Sequence, residues 1–140
     1  MPQHDDGTVP NNISLIRAVR PDWILTEEGQ ERLTSAVFKD GQLEASCFIA
    51  EEVGGIEGFE RDILPVLEQE FGFKPRIATI TASVVREAEL WIYRKPEEFN
   101  NNPAHVVICP SDGMSKSKYG RQAASLKERA LLHAARESKE

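Results

Sequence analysis

A short apolar run bounded by two prolines constrains the fold more than any other stretch of this sequence. The run is Ala104–Cys109, and after His105 its residues are apolar at both odd and even positions. A strand of this kind is typical of the middle of a sheet, where both faces are buried. Pro103 precedes the run and Pro110 ends it, since proline cannot donate a hydrogen bond to a sheet. The run therefore predicts a central strand.

Further short runs are rich in β-branched and aromatic residues or alternate between apolar and polar side chains, which is typical of strands. These runs are Ile13–Val19, Gln42–Ala50, Arg76–Ile80 and Glu89–Arg94. The segment Arg32–Lys39 is ambiguous between a strand and a single helical turn. Because Asp40-Gly41 is a strong turn signal, this segment either forms a hairpin with the next run or approaches the sheet irregularly.

Two segments have the apolar spacing of helices. The first begins near Asp62, because Pro65 is tolerated only in a first turn, and ends at Gly72. The second, Ser115–Ser138, is the longest helix predicted. Together these elements predict an α+β fold with about five short strands in a mainly antiparallel or mixed sheet and two main helices, of which the longer one is C-terminal.

The length of 140 residues is that of one domain of ordinary size. Residues 1–12 lack an apolar pattern and are predicted to be a flexible arm, so residues 13–140 form the α+β domain. No apolar run is long enough to span a membrane, and the N-terminus lacks the features of a signal peptide. Cys47 and Cys109 lie in apolar runs and are expected to be buried free thiols. These features predict a cytoplasmic protein.

The charges are unevenly distributed along the chain. Residues 1–70 carry 15 acidic and 5 basic side chains, whereas residues 71–140 carry 8 acidic and 12 basic ones. One interpretation is a polarised molecule that dimerises head to tail or presents a basic face to an anion. The alternative is that the halves interleave in the fold and their potentials cancel. The net charge of −6 argues against duplex DNA as a partner.

The start of the last predicted helix is the best candidate for a binding site. Basic side chains are unfavourable near a helix N-terminus, where free N–H groups already carry partial positive charge. A phosphate or carboxylate would relieve that repulsion. The alternative is a solvated helix face on which a serine acts only as the cap. The candidate residues are Ser115, Lys116, Ser117, Lys118 and Arg121.

Three residues elsewhere are candidates to join this site. His105 begins the central strand, although a lone histidine there is more often structural. Arg17 lies near the end of the first strand and Ser35 lies on the next element, and an arginine beside a hydroxyl can bind a phosphate. This layout is similar to that of ADP-ribosyltransferase-like folds, in which Glu87 or Glu89 would supply the further glutamate. No histidine has metal-ligand spacing with a cysteine, so neither a metal nor a cofactor is predicted.

Two resemblances to known proteins assign no activity to the chain. The run Met114–Lys118 resembles the Lys-Met-Ser-Lys-Ser signature of class I aminoacyl-tRNA synthetases, but the partner His-x-Gly-His motif is absent and the chain is too short for that domain. Three segments together resemble a pattern in small bacterial proteins of unknown function, which implies a standalone bacterial domain without an assigned activity. These segments are Arg17–Ile24, Arg32–Lys39 and Pro103–Ile108.

Three functions are compatible with these features. The first is a small interaction or accessory protein without catalysis of its own, which binds a protein partner or a second copy of itself. The second is a binder or processor of a small phosphorylated or nucleotide-like ligand at residues 111–121. The third is single-stranded nucleic acid binding, with Trp91 and Tyr93 as stacking platforms for bases.

Overall fold

The fold is organised around an antiparallel sheet of six strands, with order β6-β7-β4-β1-β5-β8. A computed structural model describes residues 5–38 and 44–133 of the chain. A separate hairpin joins β2 to β3. The strands are β1 (Ser14–Val19), β2 (Ile24–Glu27), β3 (Gln30–Leu33), β4 (Ala45–Ile49), β5 (Arg76–Thr81), β6 (Leu90–Arg94), β7 (His105–Pro110) and β8 (Leu131–Leu132).

Five α-helices and four 3₁₀ turns complete the described ranges. The helices are α1 (Ala50–Val53), α2 (Gly55–Asp62), α3 (Leu64–Phe71), α4 (Ala82–Glu87) and α5 (Lys116–Ser125), and the 3₁₀ turns are Pro21–Trp23, Ser35–Phe38, Pro96–Glu98 and Leu126–Glu128. The predicted α+β class is confirmed, and the longest described helix, α5, lies near the C-terminus. The predicted counts of about five strands and two main helices are too low, since the described residues form eight strands and five α-helices. In the described part of the chain, no helix is both long and apolar enough to cross a membrane.

The main sheet is buried on both faces. Leu15 and Ile16 are neighbours on β1 that point to opposite faces, and both side chains are fully buried. Leu15 packs in a core formed with α4 and α5, whereas Ile16 packs in a second core formed with α2 and α3. β7 pairs with β4 on one side and β6 on the other, which confirms its prediction as an internal strand.

The C-terminal helix is shorter than predicted. The apolar spacing predicts a helix over Ser115–Ser138, but α5 ends at Ser125 and a 3₁₀ turn follows. Leu131 and Leu132 then form β8, which pairs with β5. The outer edge of β5 offers backbone hydrogen bonds that favour an extended chain over a further helical turn. Residues 134–140 lie outside the described part.

The hairpin predicted as one possibility between Arg32–Lys39 and Gln42–Ala50 does not form, and a hairpin of β2 and β3 is present instead. β3 pairs with β2, and a two-residue turn through Glu28 and Gly29 joins them. Both turn residues have positive φ, 51° and 80°, as a tight turn that follows strand twist requires. β4 instead pairs with β1 and β7, so β3 and β4 do not form a hairpin. Asp40-Gly41 lies outside the described residues.

The middle helical region is longer than predicted and broken. A helix was expected from near Asp62, but α2 already begins at Gly55. Ile63 separates it from α3, in which Pro65 occupies the first turn as expected. Gly72 ends α3 with φ 79° and its N–H bonded to the carbonyl of Glu68, which confirms the predicted stop.

Part of the range predicted as a flexible N-terminal arm makes defined contacts. Val9 is buried in the main core. The Asp6 N–H donates to the carbonyl of Ile92, and the Arg86 side chain donates to the carbonyl of Val9. Residues 1–4 lie outside the described part.

The two cysteines are buried free thiols, as predicted, on strands β4 and β7. Burial raises the pKa of Cys47 from 9.0 to about 11 and that of Cys109 from 9.0 to about 12. The alternation of the paired strands places Cys47 on the same face as Val106 and puts Cys109 on the opposite face. The strands therefore keep these thiols apart and largely protonated at neutral pH.

These shifts predict a loss of stability in alkali. Between pH 9 and about pH 11 the unfolded chain loses the Cys47 proton that the folded chain retains, so the free energy of unfolding decreases as pH rises. The decrease is about 1.4 kcal/mol per pH unit for each thiol. Urea unfolding of the wild type and Cys47→Ala measures this slope. The variant should show a shallower slope, and equal slopes would contradict the assignment.

Candidate functional site

The predicted anion site at the start of α5 is partly neutralised within the protein. Ser115 is the N-cap, and its hydroxyl accepts a hydrogen bond from the Lys118 N–H at 3.0 Å. The Lys118 ammonium forms an ion pair with Glu89 at 2.5 Å. Lys116 and Arg121 are exposed. The cap and the ion pair therefore already offset part of the unfavourable positive charge.

Arg17 is a buried structural cation at the centre of the α5-facing core. Its Nε donates to the carbonyl of Val37 and its Nη1 to the carbonyl of Ser46, both at 2.9 Å. The guanidinium also lies 5.1 Å from the centre of the Trp23 ring, within range of a cation–π interaction. These contacts connect β1 to a 3₁₀ turn and to β4.

His105 is also buried, with 3% of its surface exposed. Its Nδ1 lies 2.7 Å from the carbonyl of Lys95. The ring packs against Phe48 and Phe99, with centroid separations of 5.1 and 6.1 Å. The histidine therefore has the surroundings of a core residue that connects β7 to the preceding loop.

The eight candidate residues occupy separate places. Arg17 faces the core with α4 and α5, whereas His105 packs with Phe48 on the opposite face of the sheet. The five α5 candidates remain together only because they are close in sequence. Ser35 begins a 3₁₀ turn that packs against α5, but it lines a different feature, described next.

A cleft of about 640 Å³ lies between the β2–β3 hairpin and the segment that ends in β8. Within the described ranges, Leu25 and Leu131 are two of the four large apolar residues that are exposed, at 47% and 62% of their surface. Both line this cleft, together with Leu33, Ala130 and Leu132. Exposed apolar side chains that gather in one cleft indicate a binding surface.

Polar side chains surround these leucines. Thr34 and Ser35 contribute hydroxyl groups, and the charged lining residues are Glu31, Arg32, Lys127 and Glu128. Glu31 and Arg32 already form ion pairs, with Arg76 and Glu27 respectively. Lys127 and Glu128 have no ion-pair partner among the residues that the structure describes, so one charge of each sign remains at the rim.

Arg76 connects the two walls of the cleft. Its guanidinium pairs with both carboxylate oxygens of Glu31, at 2.7 and 2.9 Å, and this contact holds the pKa of Glu31 below its usual range. The same guanidinium donates to the carbonyl of His133 at 2.8 Å. The His133 ring in turn lies 2.9 Å from the Thr79 hydroxyl on β5. One arginine therefore fixes the hairpin and the end of β8 relative to each other.

The sequence interpretation identified Ser35 but missed the rest of this cleft. The predicted helix Ser115–Ser138 includes Leu131 and Leu132, and a helix there would place both side chains on its apolar face. Leu25 follows Trp23 and Ile24 directly, and nothing in the sequence marks it as the exposed member of this apolar run. The cleft depends on contacts between residues about 100 positions apart along the chain.

Part of the uneven charge distribution is neutralised by ion pairs between the two halves of the chain. Basic residues of the second half form ion pairs with carboxylates of the first half. The pairs are Arg76–Glu31, Arg86–Asp5, Arg94–Asp6, Arg94–Glu52 and Lys95–Glu44. The structure thus favours the interpretation in which the halves interleave.

Neither a metal site nor a similarity to a known protein assigns a function to this chain. Among the described residues, no group of three or more His, Cys, Asp or Glu side chains is arranged to hold a metal ion. Searches with this chain against protein-family models, curated proteins and solved structures give no match. The function is therefore argued from the geometry of the chain.

The cap at the start of α5 can be tested directly. Ser115→Ala should lower the free energy of unfolding by about 1 kcal/mol, because the Lys118 N–H loses its acceptor. Ser117→Ala is the matched control and should change it by less than about 0.5 kcal/mol. Urea unfolding of both variants measures the difference. Equal effects of the two substitutions would contradict the capping role.

Proposed function

We propose that this protein is a small interaction protein without catalysis of its own, and that the cleft binds an extended segment of a partner protein. The observation that carries the proposal is the exposure of Leu25 and Leu131 within one cleft of about 640 Å³. Water-exposed apolar surface of this kind is stabilised when a partner covers it.

The backbone around the cleft supports an extended occupant. In the described part of the chain, β3 pairs only with β2, and β8 pairs only with β5. Each strand therefore keeps one edge on which backbone N–H and C=O groups can bond an added strand. Strand addition is a common mode of peptide recognition, in which alternate side chains enter pockets.

The charges at the rim define the chemistry of the partner further. Glu31 and Arg32 are already paired within the protein, whereas Lys127 and Glu128 have no ion-pair partner among the described residues. A complementary segment has apolar side chains for the leucines, flanked by one acidic and one basic residue. This composition fits a protein segment better than a phosphate group.

The small-ligand alternative has less support. Lys118 is paired with Glu89, and Arg17 and His105 are buried on opposite faces of the sheet. The site proposed from the sequence would therefore be reduced to Lys116 and Arg121 with neighbouring hydroxyl groups. The nucleic-acid alternative has only Trp91 and Tyr93, which share one face of β6 and are partly buried.

A peptide selection tests the proposal. A displayed library of random peptides is selected on the wild-type protein, and the affinities of enriched peptides are measured by fluorescence anisotropy. Leu25→Ser combined with Leu131→Ser should weaken binding by at least about tenfold. The reason is that burying one leucine contributes about 1.5–3 kcal/mol, and 1.4 kcal/mol is a factor of ten.

The control is Val66→Ser combined with Phe71→Ser. Both residues lie on α3, away from the cleft, and are similarly exposed, at 40% and 44%. These substitutions should leave peptide affinity unchanged. The proposal fails if no peptide is enriched, or if enriched peptides bind the wild type and both double variants equally well.

A further inference from the structure

Strand β6 lies at the end of the sheet opposite to β8, so no further strand of the described sheet pairs with its outer edge. Within the described residues β6 pairs only with β7. The Lys95 N–H donates to the carbonyl of His105 at 3.0 Å, so odd-numbered residues here direct their backbone groups toward β7. Because an antiparallel ladder alternates, Ile92 directs its N–H and C=O away from the sheet.

The N-terminal segment bonds both of these outward groups. The Ile92 N–H donates to the Asp5 carboxylate at 3.0 Å, and the Asp6 N–H donates to the Ile92 carbonyl at 2.8 Å. A neighbouring strand would bond the same N–H and C=O of Ile92 through its own backbone. Residues 5–9, here named the strap, therefore occupy the position on β6 that another strand would take.

One arginine of α4 anchors the strap. Arg86 donates to the Asp5 carboxylate at 3.2 Å, to the Asp6 carbonyl at 3.0 Å and to the Val9 carbonyl at 2.7 Å. Beyond the strap it also donates to the Asn11 side chain at 2.7 Å. Val9 adds an apolar anchor, since its side chain is 1% exposed. Arg94 of β6 adds a second anchor, since its Nε donates to the Thr8 hydroxyl at 3.1 Å and lies 3.6 Å from the Asp6 carboxylate. The strap is thus held by contacts to both Arg86 and Arg94.

The edge beneath the strap is suited to pair with a copy of itself. β6 has the sequence Leu-Trp-Ile-Tyr-Arg, which has high β propensity, contains neither glycine nor proline, and carries a charge only at Arg94. Antiparallel pairing of two such strands about Ile92 places Ile92 opposite its counterpart. That arrangement has twofold symmetry and closes as a dimer.

We propose that the strap is an autoinhibitory contact, which blocks the β6 edge, and that its release makes β6 an interface between two copies of the chain. The surface is distinct from the cleft, which lies at the opposite end of the sheet order. The proposal is therefore independent of the function proposed above.

Arg86→Ala tests the strap in the full-length protein. At low protein concentration, the Ile92 amide should exchange with solvent about tenfold faster than in the wild type, since its acceptor is no longer held. At high concentration, light scattering should show a dimer in which the Ile92 amide is protected again. The wild type should remain at one mass across the same concentrations.

Arg129→Ala is the matched control, because Arg129 pairs with Glu87 of α4 and is more than half exposed. It should change neither Ile92 exchange nor mass. If Arg86→Ala does not fold, Asp5→Ala provides the same test by removing the carboxylate that accepts the Ile92 N–H. The proposal is overturned if the folded variant keeps the wild-type exchange rate at Ile92, or if Ile92 exchanges faster and the protein stays monomeric at every concentration.

Discussion

The burial of the main sheet on both faces is the constraint on which the rest of the structure depends. Leu15 and Ile16 are adjacent, point in opposite directions and are both fully buried. One helical layer cannot cover both, so α2 and α3 pack on one face and α4 and α5 on the other. This three-layer arrangement separates Arg17 from His105, although both had been considered as parts of one site.

Ion pairs connect the two halves of the chain. Carboxylates before residue 70 pair with arginines and a lysine after it, and most of these pairs are partly shielded from water. Exposed ion pairs contribute little each, but Arg76 and Arg86 also bond backbone carbonyls and so fix segments that have few apolar contacts of their own. Arg76 positions the cleft and Arg86 positions the strap. The cleft and the strap therefore both depend on partly buried guanidinium groups.

Local patterns predicted the parts of the fold that local interactions decide. The run Ala104–Cys109 predicts an internal strand because it is apolar on both faces. Gly72 predicts a helix end because glycine adopts the positive φ that a helix C-terminus often requires. The same reasoning failed at Leu131 and Leu132, whose spacing continues a helical stripe. There, pairing with the outer edge of β5 outweighs helix propensity, and β5 lies some 50 residues earlier in the chain.

The sequence by itself determined the α+β class and the buried thiols, since each follows from periodicity or burial, and it left the sheet as mainly antiparallel or mixed and the cap of the last helix as either Ser115 or Ser117. Only the tertiary structure decided the strand order, the position of the N-terminal segment on β6, and the cleft formed by residues near both ends of the chain. These features arise from contacts between segments distant in sequence, which local side-chain patterns do not encode.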